Sequence, residues 1–349
     1  MKKLFVTIIL VILMVTSVGC SQKEETTSAA EKEIKIGVSP YPAWYVWYIA
    51  EEEGLFEKYG LNVDLTFFPV YSDSLQAFNT GKIDMLNIAA ADTIAPFNKD
   101  VAFKIVLIND NSNGADGLVA KNKFKTIESL KGQKVVTEFG TIEHYFLLKA
   151  LEGVGLTEDD IEFTNMTVND SGAAMVAGAV DAACVWEPSL SMALESGENH
   201  LLFSSADTPG LIPDLLVASD DLIEKNNKEV EELVNVWFDA LEFYNSNPDK
   251  AAEDMAKYAE VSVDEMKIMM SGSKLFSIDE NIKAMTVESD GYSYLPNTIV
   301  DTAKFLESID LVESVPKEPV TMIDTSFIKT ISENREGFDA PNTMSFLKD

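Results

Sequence analysis

The chain has 349 residues, 46% of them hydrophobic and 24% charged, which excludes a wholly disordered or collagen-like polymer and allows about two domains. Aspartate and glutamate number 58 against 27 lysines and arginines, a formal net charge of −31, so the clustered basic surface that nucleic acid requires is missing. Cys20 and Cys184 are the only cysteines, too few for a disulfide framework or a four-ligand zinc site, and neither a metal nor a cofactor is expected.

Residues 1–19 read as an export signal. Lys2 and Lys3 form a positive start, residues 4–15 an apolar run interrupted only by Thr7, and Thr16, Ser17, Val18 and Gly19 precede Cys20. The apolar run is shorter than the ~20 residues a spanning helix needs. Val18-Gly19-Cys20 resembles a bacterial lipobox, although Ser17 stands where that motif usually has leucine. Cys20 is therefore expected to carry lipid and to anchor the chain on the outer face of a bacterial cytoplasmic membrane. Residues 20–33 lack large apolar side chains and predict a flexible tether.

The body alternates between strand and helix patterns. Strands are predicted at 34–39, 61–70, 83–89 and 103–108, with helices at 44–59, 72–80 and near Asp92 between them. A second series starts at Thr126: helix to 130, strand 134–137, helix 141–154, strand 161–166, helix 171–178, strand 182–186. Residues 215–218 look like a returning strand. From 222 the pattern is mostly helical, at 222–245, 248–259, 262–271 and 298–308. Such alternation predicts an α/β fold of mostly parallel sheets with crossover helices.

Four phrases then carry a resemblance. They are Tyr41-Pro42-Ala43-Trp44 with the Ala50 to Leu61 stretch containing Glu-Gly-Leu-Phe, the turn Gly81-Lys82-Ile83-Asp84, the stretch Leu130-Lys131-Gly132-Gln133-Lys134-Val135, and Gly178-Ala179-Val180-Asp181-Ala182 leading to Trp186-Glu187-Pro188. In this order and spacing they resemble substrate-binding proteins of nitrate/sulfonate/taurine-type ABC importers, over roughly residues 34–310. The resemblance implies a two-lobe type II periplasmic-binding-protein fold closing on a small molecule like a hinge. Lobe 1 would comprise 34–121, lobe 2 122–219, and residues 220–349 would return to lobe 1, with hinge strands near 118–122 and 215–219. An ABC permease is the implied partner, with the protein itself a monomer. A sensory module of the same fold without transport is the alternative.

In open α/β sheets the ligand lies beyond the carboxyl ends of the strands. The loops there hold Tyr41, Trp44, Tyr71, Ser72, Asp73, Asp92, Asp116, Glu138, Thr141, Asn169, Trp186 and Glu187, with Asp214 at the return crossing. These are the candidate ligand-binding residues. Several have a plainer reading. Asp73, Asp92 and Glu187 fit first helical turns, and Asp110 and Asp116 bracket an Asn-Ser-Asn-Gly-Ala turn. No lysine or arginine lies in these loops, and none lies between Lys149 and Lys225. The sole arginine, Arg335, is near the C-terminus, so no arginine clamp for a carboxylate or sulfonate is expected. Carboxylates beside aromatic rings favour a small nitrogen-rich cation, guanidinium-type first. An aminopyrimidine thiamine precursor or a sulfonate or nitrate anion is the alternative ligand.

Catalysis is not expected. His144 and His200 are the only histidines, outside any HExxH spacing, and neither a GxSxG elbow nor a P-loop occurs. A related fold serves thiamine-pyrimidine synthesis in eukaryotes through a cysteine-rich segment, which this chain lacks. Cys184, inside an apolar strand, reads as a buried thiol.

Overall fold

The computed structural model describes residues 32–343; the expected export signal, Cys20 and most of the expected tether lie outside them. Apolar runs form β1 (Ile34–Val38), β2 (Val63–Phe67) and β3 (Met85–Ala89), joined by helices Val46–Glu52 and Leu55–Lys58 and then by helix Tyr71–Asn79. β4 (Phe103–Ser112) completes this stretch. The chain then builds β5 (Asp116–Lys121), β6 (Lys134–Thr137), β7 (Glu162–Asn165), β8 (Ala182–Trp186) and β9 (Asn199–Ser204). It returns through β10 (Pro213–Ser219), and β11 (Ser273–Leu275) follows within the helical C-terminal part.

Two sheets result, with strand orders β11-β4-β10-β3-β1-β2 and β7-β6-β8-β5-β9. The α/β two-lobe class expected from the sequence is present, but the sheets are mixed and not mostly parallel as expected. β1 pairs parallel with β2 and β3, and β6 with β7 and β8. β10 runs antiparallel to β3 and β4, and β5 antiparallel to β8 and β9. The antiparallel pairs follow from topology, because a strand that has just crossed between sheets enters its new sheet from the opposite end.

The same pairing moves the expected lobe boundaries. β5 belongs wholly to the second sheet and β10 wholly to the first. The chain therefore changes lobe at residues 113–115 and 205–212, not at 121/122 and 219/220. The sequence shows two apolar strands there; only the register shows which sheet each joins. The two crossings are tied together. Ser112 Oγ lies 2.7 Å from Ser205 Oγ, and Gly114 N donates to Ser205 Oγ at 2.7 Å. The Gly272 carbonyl accepts from Asn113 N at 2.8 Å and Ala115 N at 3.2 Å. A Cβ on Gly272 would stand 2.6 Å from Ala115 N, so glycine alone fits where the backbones approach.

The helical C-terminal part packs on the first lobe, as the long amphipathic pattern required. Helix Asn227–Ser246 buries Leu233, Trp237 and Leu241, and Trp237 meets Trp47 with ring centroids 5.1 Å apart. The two sheets do not form separate bodies. Among the described residues the chain from Glu33 is one compact unit, and Trp186, Ile142 and Ser72 carry hydrogen bonds between the two sheets' loops.

Candidate functional site

A row of aromatic rings runs through the junction of the two sheets. Tyr41 follows β1, and Trp44 lies on the turn Pro42–Tyr45. Tyr71 opens helix Tyr71–Asn79, and Trp186 ends β8. Centroids are 5.2 Å apart for Tyr41 and Trp44, 5.6 Å for Trp44 and Tyr71, and 5.4 Å for the edge-on pair Tyr71 and Trp186. All four are buried. Trp186 bridges the lobes by donating from Nε1 to the Pro40 carbonyl at 2.8 Å.

Carboxylates surround this row. The Tyr41 hydroxyl donates to Asp110 Oδ2 at 3.1 Å, and the Tyr71 hydroxyl to Asp92 Oδ2 at 2.8 Å. Asp214 on β10 stands opposite both Asp110 and Ala89 in the sheet register. Asp116, which opens β5, accepts from Ser112 Oγ. Glu143, in the first turn of helix Ile142–Glu152, is fully buried against Asp116 and the Cys184 thiol. Glu138 is buried beside them and accepts from Ser72 N at 3.2 Å.

Burial governs their electrostatics. It pushes Asp92 up to about 7, opposed by the bonds from Tyr71 and Ile142. It lifts Asp116 and Glu187 to about 6. Asp110 and Asp214 stand well above the usual carboxylate range, through burial first and then through neighbouring carboxylate charge. Glu143 is raised likewise by burial and Asp116. Two like charges 4 Å apart repel by ~4 kcal/mol at an effective dielectric of ~20, so such a group keeps its charges only beside a cation. Several buried polar atoms here lack any partner within the protein: Asp110 Oδ1, Asp214 Oδ2, Trp44 Nε1, Ser39 Oγ and both side-chain polar atoms of Asn109. Buried polar groups are ordinarily paired, which makes these atoms candidate ligand contacts. Among the described residues no three His, Cys, Asp or Glu side chains are grouped to hold a metal ion.

Of the residues expected from sequence, the structure brings Tyr41, Trp44, Tyr71, Asp92, Asp116, Glu138, Thr141, Trp186 and Asp214 to this junction, all buried. Ser72, Asp73 and Asn169 have exposed side chains. The helix expected at 72–80 begins at Tyr71, so Ser72 lies inside its first turn and only its amide is used. Asn169 Nδ2 donates across the lobes to the Pro69 carbonyl at 3.1 Å. Glu187 is buried but committed: Oε1 accepts from Ser191 Oγ at 2.8 Å and Oε2 from Ser191 N at 3.0 Å. The Thr141 hydroxyl donates to the Glu138 carbonyl at 2.8 Å and fixes that loop. Glu143 was missing from the sequence-based set, although its place in the first turn after Gly140-Thr141 was the available signal. Asp110, read there as a turn former, lies in β4.

Comparison with known proteins places these findings among relatives. A family model described as NMT1/THI5 like matches residues 42–251. The taurine-binding periplasmic protein of Escherichia coli K12 is 25% identical over 290 residues, covering 80% of this chain and 88% of that protein. Among solved structures, the aliphatic sulphonate binding protein SsuA of Escherichia coli superposes with a TM-score of 0.69 at 22% identity, covering 84% of this chain and 92% of that one. The MOPS-bound alkanesulfonate-binding protein SsuA of Xanthomonas axonopodis pv. citri gives the same TM-score at 18% identity, covering 85% and 100%. These structural likenesses establish the periplasmic-binding-protein fold.

Proposed function

This chain belongs to the NMT1/THI5-like family, and from that premise we propose that it is a solute-binding protein of an ABC importer whose ligand is a small nitrogen-rich cation, guanidinium-type. The relatives named above are binding proteins, and the fold offers two lobes around a buried junction. We place it outside the cytoplasmic membrane, held by lipid on Cys20 and delivering its ligand to a permease. No helix among the described residues is long and apolar enough to cross a membrane.

The observation that carries the ligand class is the unpartnered carboxylate pair at the junction. Asp110 Oδ1 and Asp214 Oδ2 are buried without a hydrogen bond on residues opposite each other in adjacent strands, and among the described residues no lysine or arginine is buried. A planar cation with several N–H donors satisfies both oxygens, neutralises the repulsion and stacks on the aromatic row. Inter-lobe contacts then give closure a reason. Asp92 accepts from Ile142 N and Glu138 from Ser72 N across the junction, so a ligand that holds Asp92 ionised favours the closed pair of lobes.

Sulfonate is the second reading, favoured by the taurine-binding relative. It would be held without a basic side chain, by backbone amides and by the unpartnered donors Trp44 Nε1, Ser39 Oγ and Asn109 Nδ2, beside acids that repel it. Isothermal titration with guanidinium, an aminopyrimidine, taurine and nitrate separates the two. Micromolar or tighter guanidinium binding supports the cationic reading; binding of taurine or nitrate with none of guanidinium overturns it.

A further inference from the structure

Beside the aromatic row, between the lobes, lies a cavity of about 210 Å3. Its walls are largely hydrocarbon: Ala95 and Leu75 from the first lobe's N-terminal part, Leu306 and Leu311 from its C-terminal part, and Phe139 from the second lobe. Asp92 is its only charged wall. That carboxylate ties the cavity to the aromatic row through Tyr71. Oδ2 accepts from the Tyr71 hydroxyl and from Ile142 N, which leaves Oδ1 for another donor.

We propose that the ligand carries a short apolar arm on its cationic head, the head lying on the carboxylate and aromatic groups and the arm filling the cavity behind Asp92. The inference deepens the cationic reading above and rests on it. A separate apolar molecule would set hydrocarbon against the Asp92 carboxyl and leave its oxygen unpaired, at a desolvation cost. A cation alone would leave an apolar cavity to poorly held water, whose displacement by hydrocarbon gains affinity. Only a molecule with both parts satisfies both surfaces. The volume lies below the roughly 300–1,000 Å3 of pockets for drug-sized ligands, so the arm is a short one. Because the walls come from both lobes, the arm also links the ligand to closure.

Titration of the protein with guanidinium and with its methyl, propyl, butyl and octyl derivatives tests this. Affinity should rise about fourfold per methylene from methyl through butyl, with the gain per methylene falling away towards octyl as the cavity fills. Ala95→Met should fill the space and abolish the gain while leaving guanidinium itself within twofold; Val312 lines the cavity as well, and Val312→Trp serves if the first variant folds poorly. Guanidinium binding with a flat or falling series, or a gain that survives filling, overturns the arm and leaves the cationic head standing. Taurine binding without guanidinium binding overturns both.

Discussion

Two tyrosine–aspartate pairs flank Trp44, alike in chemistry and different in surroundings. Tyr41 donates to Asp110 on a strand, where Asp214 lies opposite in register, Asp116 is close, and one oxygen has no partner. Tyr71 donates to Asp92, which also takes Ile142 N from the other lobe and faces a cavity. The first pair is a store of like charge, costly unless a cation arrives. The second is a link across the junction, complete only when the lobes meet. One carboxylate type therefore serves affinity in one place and closure in the other, because the neighbouring backbone differs.

Removing charge from the first pair should have the largest effect. With Asp214→Asn, guanidinium affinity is expected to fall on the order of 100-fold, since a charge-assisted bond in a buried site contributes ~1.5–3 kcal/mol. The ligand-free protein should melt at a higher temperature, because the repulsion with Asp110 and Asp116 is relieved. Titration and thermal melts on the same preparation check both; a lower melting temperature would mean that Asp214 is stabilising without ligand.

A pH series sharpens the same contrast. Asp116 and Asp92 hold protons up to about 6 and 7 when folded, against about 3.9 for an unperturbed aspartate. Between those values the folded chain binds more protons than the unfolded one, so their contribution to stability is full below pH ~4 and is lost as pH rises through about 6 to 7. The ligand-free protein should melt higher at pH 5 than at pH 8, with a smaller difference in Asp116→Asn. Cation affinity should run the other way, weakening by up to about tenfold per pH unit for each coupled proton below pH 6. Calorimetry at pH 5, 6.5 and 8 decides; cation binding that is independent of pH would detach the ligand from these acids.

Much of this was legible in the sequence, and the exceptions have physical causes. The strand–helix alternation followed from apolar periodicity, the two closing lobes from the resemblance to importer binding proteins, and nine buried junction residues from the loops beyond strand ends. What failed depends on register. Asp110 sits in an Asn-Asp-Asn-Ser-Asn-Gly run that reads as a turn, yet β10 and β11 pair with β4 on both sides and hold Asp110 in the sheet. β5 and β10 look alike in sequence and join different sheets. Ser72 and Glu187 depend on where a helix begins and on which side chain reaches a free amide first. Those are local contests decided by a few tenths of an ångström, which composition does not report.

The second pair predicts smaller effects. Trp186→Phe keeps the ring against Tyr71 but removes the bond to the Pro40 carbonyl. One hydrogen bond lost between lobes should weaken ligand binding about fivefold, given a net ~1 kcal/mol per bond. Titration reads the loss. A change above 50-fold would make Trp186 a direct ligand contact, and the distinction between affinity and closure would then fail at that residue.

The smallest expected effect is at Glu187, and it bounds the comparison. This residue is buried close to Asp116, whose charge adds to the effect of burial in holding its carboxyl up at about 6. Proximity alone would group it with the charge store. Its hydrogen bonds argue otherwise, since Ser191 occupies both oxygens through its amide and hydroxyl. Glutamine can accept from the amide and donate to the hydroxyl, so Glu187→Gln should change guanidinium affinity by less than twofold. A tenfold loss, measured by the same titration, would mean that Glu187 leaves Ser191 when ligand enters. The charge store would then extend to Glu187 on the second lobe, and closure itself would be driven by carboxylates converging on one cation.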